Sequence, residues 1–89
     1  MAMAALRIGI VDTGLNPWHS HVRGQVAGCR MFLAPDGSVR EDGDYRDLLG
    51  HGTAVAGIIR EAFPDAVIFA VRAFDDDGRT YPSLVARGI

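Results

Sequence analysis

The feature that most constrains the fold of this chain is an alternation of buried strands with a helix. Residues 6–11 are almost continuously apolar and rich in β-branched side chains, which predicts a central strand buried on both faces. Residues 66–74 predict another buried strand, and residues 50 to about 61 predict a helix between the two. The apolar residues of this helix recur at spacings of three and four and so share one face: Val55, Ile58, Ile59 and Ala62. This alternation favours an α/β fold with a parallel sheet.

Turn-forming residues set the limits of the other segments. Asn16 and Pro17 predict the start of a short helical turn, with Asn16 as its N-cap. A further strand is predicted over residues 25–33, and Pro35-Asp36-Gly37 after it is a turn signal. The polar residues 38–47 predict an exposed loop or hairpin.

The same pattern continues to the end of the sequence. Asp75-Asp76-Asp77-Gly78 predicts a turn after the second buried strand. Residues 82–89 predict the start of a helix, because Leu84, Val85 and Ile89 form an apolar stripe at helical spacing.

Size and charge narrow the class of protein. The chain has 89 residues, which make one small domain at most, and 48% of them are hydrophobic. A domain this short buries only roughly 60–65% of its unfolded surface, so this much apolar surface indicates missing neighbours. The net charge is −2, with both signs interspersed along the chain. Neither a nucleic acid nor an anionic membrane is therefore an expected partner.

The single cysteine and the first residues bear on location. Cys29 lies in an apolar run and is predicted to be a small buried thiol rather than a reactive one. Residues 1–7 lack the charged region and long apolar run of a signal peptide, and no apolar run is long enough to span a bilayer. We therefore expect a cytoplasmic protein, or a secreted one if this sequence is a trimmed piece.

Two short motifs carry the chemistry. Asp12 begins an Asp-Thr-Gly turn at the carboxyl end of the first strand, where open α/β sheets place their active sites. His51 stands between Gly50 and Gly52 at a helix start, where small neighbours let a substrate approach the ring. A carboxylate that orients a histidine, which in turn activates a hydroxyl group, is the arrangement of serine nucleophiles. Asp12 and His51 are the candidates for this carboxylate and this histidine, although an Asp-Thr-Gly turn or a histidine at a helix start is by itself a common structural feature.

Together these motifs resemble the subtilisin-like serine proteases. Ile10-Val11-Asp12-Thr13-Gly14 and Gly50-His51-Gly52-Thr53-Ala54-Val55-Ala56-Gly57 are similar to the aspartate and histidine segments of that family, and the spacing of 39 positions suits it. Residues 70–78 resemble the strand and turn that follow, so the resemblance covers about residues 7–89. It implies the N-terminal part of a three-layer α/β subtilisin-like fold. It also implies hydrolysis of peptide bonds in peptide or protein substrates, with Asp12 orienting His51 and His51 as general base and then general acid.

The resemblance also implies a third segment that this sequence lacks. The family's nucleophilic serine, in a Gly-Thr-Ser-Met-Ala type sequence, would follow Ile89. Ser20, Ser38 and Ser83 stand in no such context. Because the oxyanion-hole side chain is missing as well, residues 1–89 are a partial peptidase domain that we expect to be inactive alone. A complementary chain could supply the serine.

No metal and no cofactor is expected. Where many relatives have a His-Pro-Asp segment that helps to hold calcium, this chain has His19-Ser20-His21, and the calcium loop after the histidine helix is absent. His19 and His21 have no third ligand at a fitting spacing. Asp75-Asp76-Asp77-Gly78 lacks the alternating ligands and closing glutamate of an EF-hand.

Two alternative functions stay open. An apolar segment before Asp-Thr-Gly also occurs in retroviral-type aspartic proteases, but those chains are almost entirely β, and the helical pattern over residues 50–61 argues against this class. The second alternative is a non-catalytic, truncated module that binds a partner chain, which would account for the missing serine. Circular dichroism separates the almost entirely β aspartic protease from the α/β prediction. A serine-reactive probe separates the non-catalytic module from a peptidase with a working triad.

Overall fold

The chain folds as a four-stranded sheet with helices, in a computed structural model that describes residues 6–75, 77–80 and 82–89. The elements, in chain order, are β1 Arg7–Asp12, β2 Val26–Leu33, β3 Val39–Asp42, α1 His51–Ala62, β4 Val67–Arg72 and α2 Pro82–Gly88. The strand order is β1-β4-β2-β3, in which β4 runs parallel to both its neighbours and β3 runs antiparallel to β2. The predicted α/β class is confirmed, with a sheet that is mostly parallel.

The two helices cover opposite faces of the sheet. Even-numbered residues of the paired strands face α1. They form the core together with residues of α1 and of the segment after β1, and the buried core residues are Ile10, Leu15, Val22, Ala56, Ile68 and Ala70. On the other face, Gly88 of α2 lies so close to Val11 and Val71 that an added Cβ would stand 3.2 Å from their methyl carbons. Helix, sheet and helix therefore form the three layers that the sequence predicts.

The first strand lies at an edge of the sheet. In the described part of the chain β1 pairs with β4 alone, and Arg7 and Gly9 are exposed. The prediction of a central strand buried on both faces is therefore wrong for these residues. An apolar run reports that a strand packs against neighbouring layers, but it does not report how many strands flank it.

The helix α1 buries a different face from the one predicted. Gly52, Thr53, Ala56 and Arg60 are its buried residues. Val55 and Ile59 pack against the core as expected, but Ile58 is 70% exposed and Ala62 is exposed as well. The prediction of an apolar face that includes these two residues is wrong, because the helix approaches the strand end through its small residues.

Residues 16–22 form two successive turns instead of a helical turn. The N–H of His19 donates to the carbonyl of Asn16, and the N–H of Val22 donates to the carbonyl of His19, both at 3.0 Å. The side chain of Asn16 does not cap this segment. Its amide binds the main chain of Asp47 in both directions, with Nδ2 donating to the carbonyl and Oδ1 accepting from the N–H, each at 3.0 Å. The predicted N-cap is wrong because the amide has a partner distant in sequence.

The predicted strand over residues 25–33 and the hairpin after it are confirmed. The turn closes where the N–H of Gly37 donates to the carbonyl of Ala34 at 2.9 Å, and β3 returns along β2. The prediction that residues 38–47 are exposed is wrong at its last residue, because Asp47 is only 6% exposed. Residues of opposite sign in the hairpin pair with each other, as Arg30 does with Asp42.

The last segments agree with the sequence in outline. The N–H of Gly78 donates to the carbonyl of Asp75 at 3.0 Å, which closes the predicted turn, while Asp76 lies outside the described residues. In α2, Leu84 is buried and Val85 is half-buried, but Ile89 is 96% exposed and lies beyond the end of the helix. Ile89 is therefore not part of a buried stripe in the described structure.

Arg60 ties together the segments that lead into β2 and β4. Its side chain is 7% exposed, and Nε donates to the carbonyl of Val22 at 3.1 Å and Nη2 to that of Gln25 at 3.2 Å. Nη1 donates to the carbonyl of Pro64 at 3.2 Å and also to that of Ala66. Buried carbonyl groups need such partners, so one guanidinium satisfies main-chain acceptors from both segments.

We expect Arg60→Leu to lower the free energy of unfolding by about 2 kcal/mol or more, because it removes the guanidinium donor from the buried carbonyl groups of Val22 and Ala66. Urea unfolding followed by circular dichroism measures the change. Arg40→Leu is the matched control, because Arg40 is exposed on β3 and its loss should change stability by about 0.5 kcal/mol or less. An equal loss in both variants would contradict the role assigned to Arg60.

Candidate active site

The two predicted catalytic residues meet at the carboxyl end of β1. Nδ1 of His51, the first residue of α1, lies 2.8 Å from Oδ1 and 2.9 Å from Oδ2 of Asp12. The Asp12 side chain is 15% exposed, whereas that of His51 is 72% exposed. An ionised carboxylate only accepts hydrogen bonds, so this contact favours the imidazole form with its proton on Nδ1. Nε2, on the far side of the ring, is left for a second partner.

The main chain around Asp12 holds its carboxylate in place. Oδ1 accepts a hydrogen bond of 2.6 Å from the N–H of Thr13, and the carbonyl of Asp12 accepts one of 2.9 Å from the N–H of Ala73 just after β4. Asp12 also stands beside Arg72 in the parallel register. The residue is therefore fixed by both its own turn and the neighbouring strand.

Two glycines let the helix start approach the strand end. The carbonyl oxygen of Gly14 would lie only 2.0 Å from a Cβ added at Gly52, so no larger residue fits there. Gly14 has a φ of 116°, in the region that favours glycine, and an added Cβ would stand 2.6 Å from the carbonyl oxygen of Tyr45. The close approach of these two main chains brings the ring of His51 to Asp12.

The contact with Asp12 changes the acidity of the histidine. The hydrogen bond to Asp12 and then the negative charge of Asp12 raise the pKa of His51 above its ordinary value of 6.5; burial opposes them, and the charge of Asp47 adds a lesser effect in the raising direction. The charged form is favoured because an adjacent carboxylate stabilises the imidazolium. The stabilisation from this pair is therefore present below pH 6.5 and is lost as the pH rises through the higher pKa of the folded state.

We expect the pKa of His51, followed by NMR, to lie above 6.5 in the wild-type chain and to fall in Asp12→Asn, which removes the charge next to the ring. The stability advantage of the wild type over this variant should be larger at pH 5 than at pH 9. Asp44→Asn is the control, because it removes a carboxylate that pairs with Arg46 and Arg72 rather than with His51. A His51 pKa that is equal in the wild type and in Asp12→Asn would contradict the contact.

Asp47 is a residue of the site that the sequence analysis missed. It lies in the loop before α1, and its Oδ1 accepts hydrogen bonds from Thr13 Oγ1 at 2.9 Å and from the N–H groups of Leu49 at 3.1 Å and Gly50 at 2.7 Å. Its Oδ2 accepts one of 2.8 Å from the N–H of Thr53. An aspartate just before a helix start is a capping signal, and that signal could have singled it out from the polar segment.

The hydrogen bonds to Asp47 keep it ionised. Burial by itself would raise the pKa of Asp47, but the hydrogen bonds from Thr53, Gly50 and Thr13 outweigh burial and hold the pKa at about 2. The stabilising contribution of this carboxylate is therefore present above its ordinary value of 3.8 and is lost as the pH falls towards about 2. At neutral pH a fixed negative charge stands at the N-terminus of α1, which the helix dipole favours.

Other residues singled out in the sequence lie apart from the Asp12–His51 contact. Nδ1 of His19 accepts from the N–H of His21 at 3.2 Å, and the two rings meet edge to face with centroids 5.2 Å apart. In the described residues, no group of three or more His, Cys, Asp or Glu side chains is arranged to hold a metal ion.

Cys29 is half-buried on β2, and burial raises the pKa of its thiol. No described helix has the length and apolar character needed to cross a membrane.

Comparison with known proteins gives consistent matches over nearly the whole chain. The family model described as "Subtilase family" matches residues 4–89. The chain is 37% identical over 93 residues to thermitase of Thermoactinomyces vulgaris, which covers 93% of this chain and 31% of that protein. It is 31% identical over 94 residues to subtilisin of Bacillus sp. strain TA39, covering 94% of this chain and 22% of that protein.

A third relative matches the chain with similar identity and coverage. The thermostable alkaline protease of Halalkalibacterium halodurans is 33% identical over 92 residues, which cover 93% of this chain and 23% of that protein. The chain therefore spans between about a fifth and a third of the length of these relatives.

Proposed function

The chain belongs to the subtilase family of serine proteases, and from that premise we propose that it is the N-terminal portion of an endopeptidase that hydrolyses peptide bonds through an Asp-His-Ser triad. In this proposal residues 1–89 are a partial peptidase domain that carries the aspartate and histidine segments. The observation that carries the proposal is the contact of 2.8 Å between Nδ1 of His51 and Oδ1 of Asp12, on a ring that is otherwise exposed.

Asp12 has the role of orienting the histidine. Its carboxylate is held by the N–H of Thr13 and accepts from Nδ1 of His51, so the neutral ring keeps the tautomer whose Nε2 has a free lone pair. When the ring takes up a proton, the same carboxylate stabilises the resulting imidazolium without being protonated itself. The raised pKa of His51 supports this role.

His51 has the role of moving the proton. Nε2 takes the proton from the hydroxyl group of a serine while the serine oxygen attacks the carbonyl carbon of the peptide bond. The imidazolium then gives that proton to the leaving amine, and an acyl-enzyme forms. A water molecule, activated by Nε2 in the same way, hydrolyses the acyl-enzyme. The 72% exposure of the ring supports this role, because both serine and substrate need access to Nε2.

The serine comes from outside these residues in this proposal. Ser20, Ser38 and Ser83 lack the glycine-rich context of the nucleophile segment, and the side chain of Ser38 donates to Asp36 at 2.6 Å instead. The chain alone is then inactive, and either a longer form of the protein or a complementary chain supplies the serine. The substrates are peptides or proteins.

Intact mass measurement together with fluorophosphonate labelling tests this function. The probe is applied to an extract of the source cells and to the purified chain, and the labelled species are identified by mass spectrometry. We expect labelling of a longer species that contains these residues, or of a second chain that co-purifies with them. An unlabelled product of 9.6 kDa that is recovered alone would overturn the catalytic proposal and leave the non-catalytic binding module.

Membership of the subtilase family leaves the retroviral-type aspartic protease without support. The cytoplasmic location stays a prediction, which fractionation of the source cells tests. The absence of nucleic acid and membrane partners stays a prediction from the charge pattern as well.

A further inference from the structure

A buried carboxylate joins the two segments of the proposed site. Asp47 is the only carboxylate among the buried residues of the described part of the chain. It lies four positions before His51, yet its Oδ1 is bound by Thr13, which is 34 positions away and directly follows Asp12. A carboxylate in such a place is costly to bury unless its hydrogen bonds are complete, and here both oxygens accept them.

The hydroxyl group of Thr13 links this carboxylate to the catalytic pair. It donates to Asp47 Oδ1 at 2.9 Å and accepts from the N–H of Gly52, the residue after His51, at 2.9 Å. Because an ionised carboxylate only accepts, Asp47 draws the hydroxyl proton towards itself and leaves the lone pairs of Thr13 for Gly52. The N–H of Thr13 at the same time holds Oδ1 of Asp12 at 2.6 Å.

The same carboxylate orders the first turn of α1. It accepts from the N–H groups of Leu49, Gly50 and Thr53, which flank His51 on both sides. An asparagine at this position would keep one acceptor oxygen but would turn an NH₂ group towards a main-chain N–H, where two donors oppose each other. The charge and both oxygens of the aspartate are therefore needed for the arrangement.

We propose that Asp47 is a positioning residue for the catalytic pair: its carboxylate, acting through the Thr13 hydroxyl group and the first turn of α1, holds the main chains of Asp12 and His51 at the separation at which Asp12 accepts from Nδ1. This inference rests on the proposed function in so far as it treats Asp12 and His51 as the catalytic pair. It assigns Asp47 no contact with the substrate or with the reacting atoms.

A measurement of the His51 tautomer tests the proposal. The ¹⁵N chemical shifts of the imidazole ring, recorded on the purified chain at a pH at which His51 is neutral, give the ratio of the Nδ1–H to the Nε2–H form. We expect this ratio to fall by roughly three- to tenfold in Asp47→Asn, which is the factor that corresponds to the loss of one ordinary hydrogen bond. Asp44→Asn, which removes the same charge in the same loop, should leave the ratio unchanged.

A second pair of variants keeps the test decisive if Asp47→Asn does not fold. Thr13→Val keeps the shape of the side chain and leaves the main-chain N–H bonds to Asp47 in place, but it removes the hydroxyl link. Thr13→Ser retains that link. We expect the tautomer ratio to fall in Thr13→Val and to stay close to the wild-type ratio in Thr13→Ser.

A wild-type ratio in folded Asp47→Asn or in Thr13→Val would overturn the proposal, because Asp47 would then only cap the helix. A merely structural cap predicts lower stability in these variants but no change of tautomer. The ratio is measured without a serine or a substrate, so the proposed function can fail in the labelling experiment while this inference holds. The reverse outcome is equally distinguishable, since the wild-type protein can be labelled while the tautomer ratio in Asp47→Asn stays at the wild-type value.

Discussion

His51→Ala, made in a form of the protein that contains the nucleophilic serine, is expected to lower kcat/KM for a peptide substrate by roughly 10⁴-fold or more, the magnitude usual for loss of the base from an Asp-His-Ser triad. Without the imidazole, nothing takes the proton from the serine hydroxyl group or returns it to the leaving amine. The fold should change little, because the ring is 72% exposed and its side-chain hydrogen bond is to Asp12 at the surface.

Steady-state kinetics and circular dichroism, recorded on the same preparations, check this expectation. His21→Ala is the control, because it removes an exposed histidine on the turn before β2 that does not contact Asp12 or His51 in the described structure. Its kcat/KM should equal that of the wild type. Retained turnover in His51→Ala would end the assignment of His51 as the base.

Gly52→Ala is expected to lower the free energy of unfolding by about 3 kcal/mol or more, a large part of the roughly 5–15 kcal/mol that stabilises a typical domain. The added Cβ would stand 2.0 Å from the carbonyl oxygen of Gly14, and this neighbour is main chain, so either the start of α1 or the turn after β1 must move. The same movement would separate His51 from Asp12.

Gly57→Ala in the same helix is the matched control. An added Cβ at Gly57 would stand 3.4 Å from the Cβ and 3.9 Å from the carbonyl oxygen of His21, and alanine is the better helix former by roughly 0.5–1 kcal/mol. We expect this variant to be as stable as the wild type or slightly more stable in urea unfolding. Similar destabilisation in both variants would show that the loss does not depend on the contact with Gly14, and would contradict the importance assigned to that contact.

The types and order of the elements were predictable because their signals are local. A glycine or proline acts on its own turn, and an apolar period acts over one strand or helix. The strands over residues 25–33 and 66–74 and the helix from residue 50 were therefore found within about two residues of their observed bounds. The Asp12 and His51 motifs were found for the same reason, since each is a short run at the end or start of one element.

The environment of each element was predicted less well. The apolar pattern of residues 6–11 did not show that β1 lies at the sheet edge in the described part of the chain, and the pattern of α1 did not show that Ile58 is exposed. Asn16 is of a residue type that often caps a nearby helix, but its side chain binds Asp47, which is 31 positions away. In each case a contact distant in sequence overrides the local preference, and a single sequence does not report such contacts.

The sequence by itself determined the class of fold and the two residues proposed to act on a serine, because these follow from local turn and helix signals and from a family resemblance carried by two short motifs. Only the tertiary structure decided that Nδ1 of His51 faces Asp12 and that Gly14 and Gly52 are in contact. It also decided that Asp47, in the loop before His51, binds the hydroxyl group next to Asp12. These features depend on pairs of residues more than thirty positions apart, which come together only when the sheet and the helix pack.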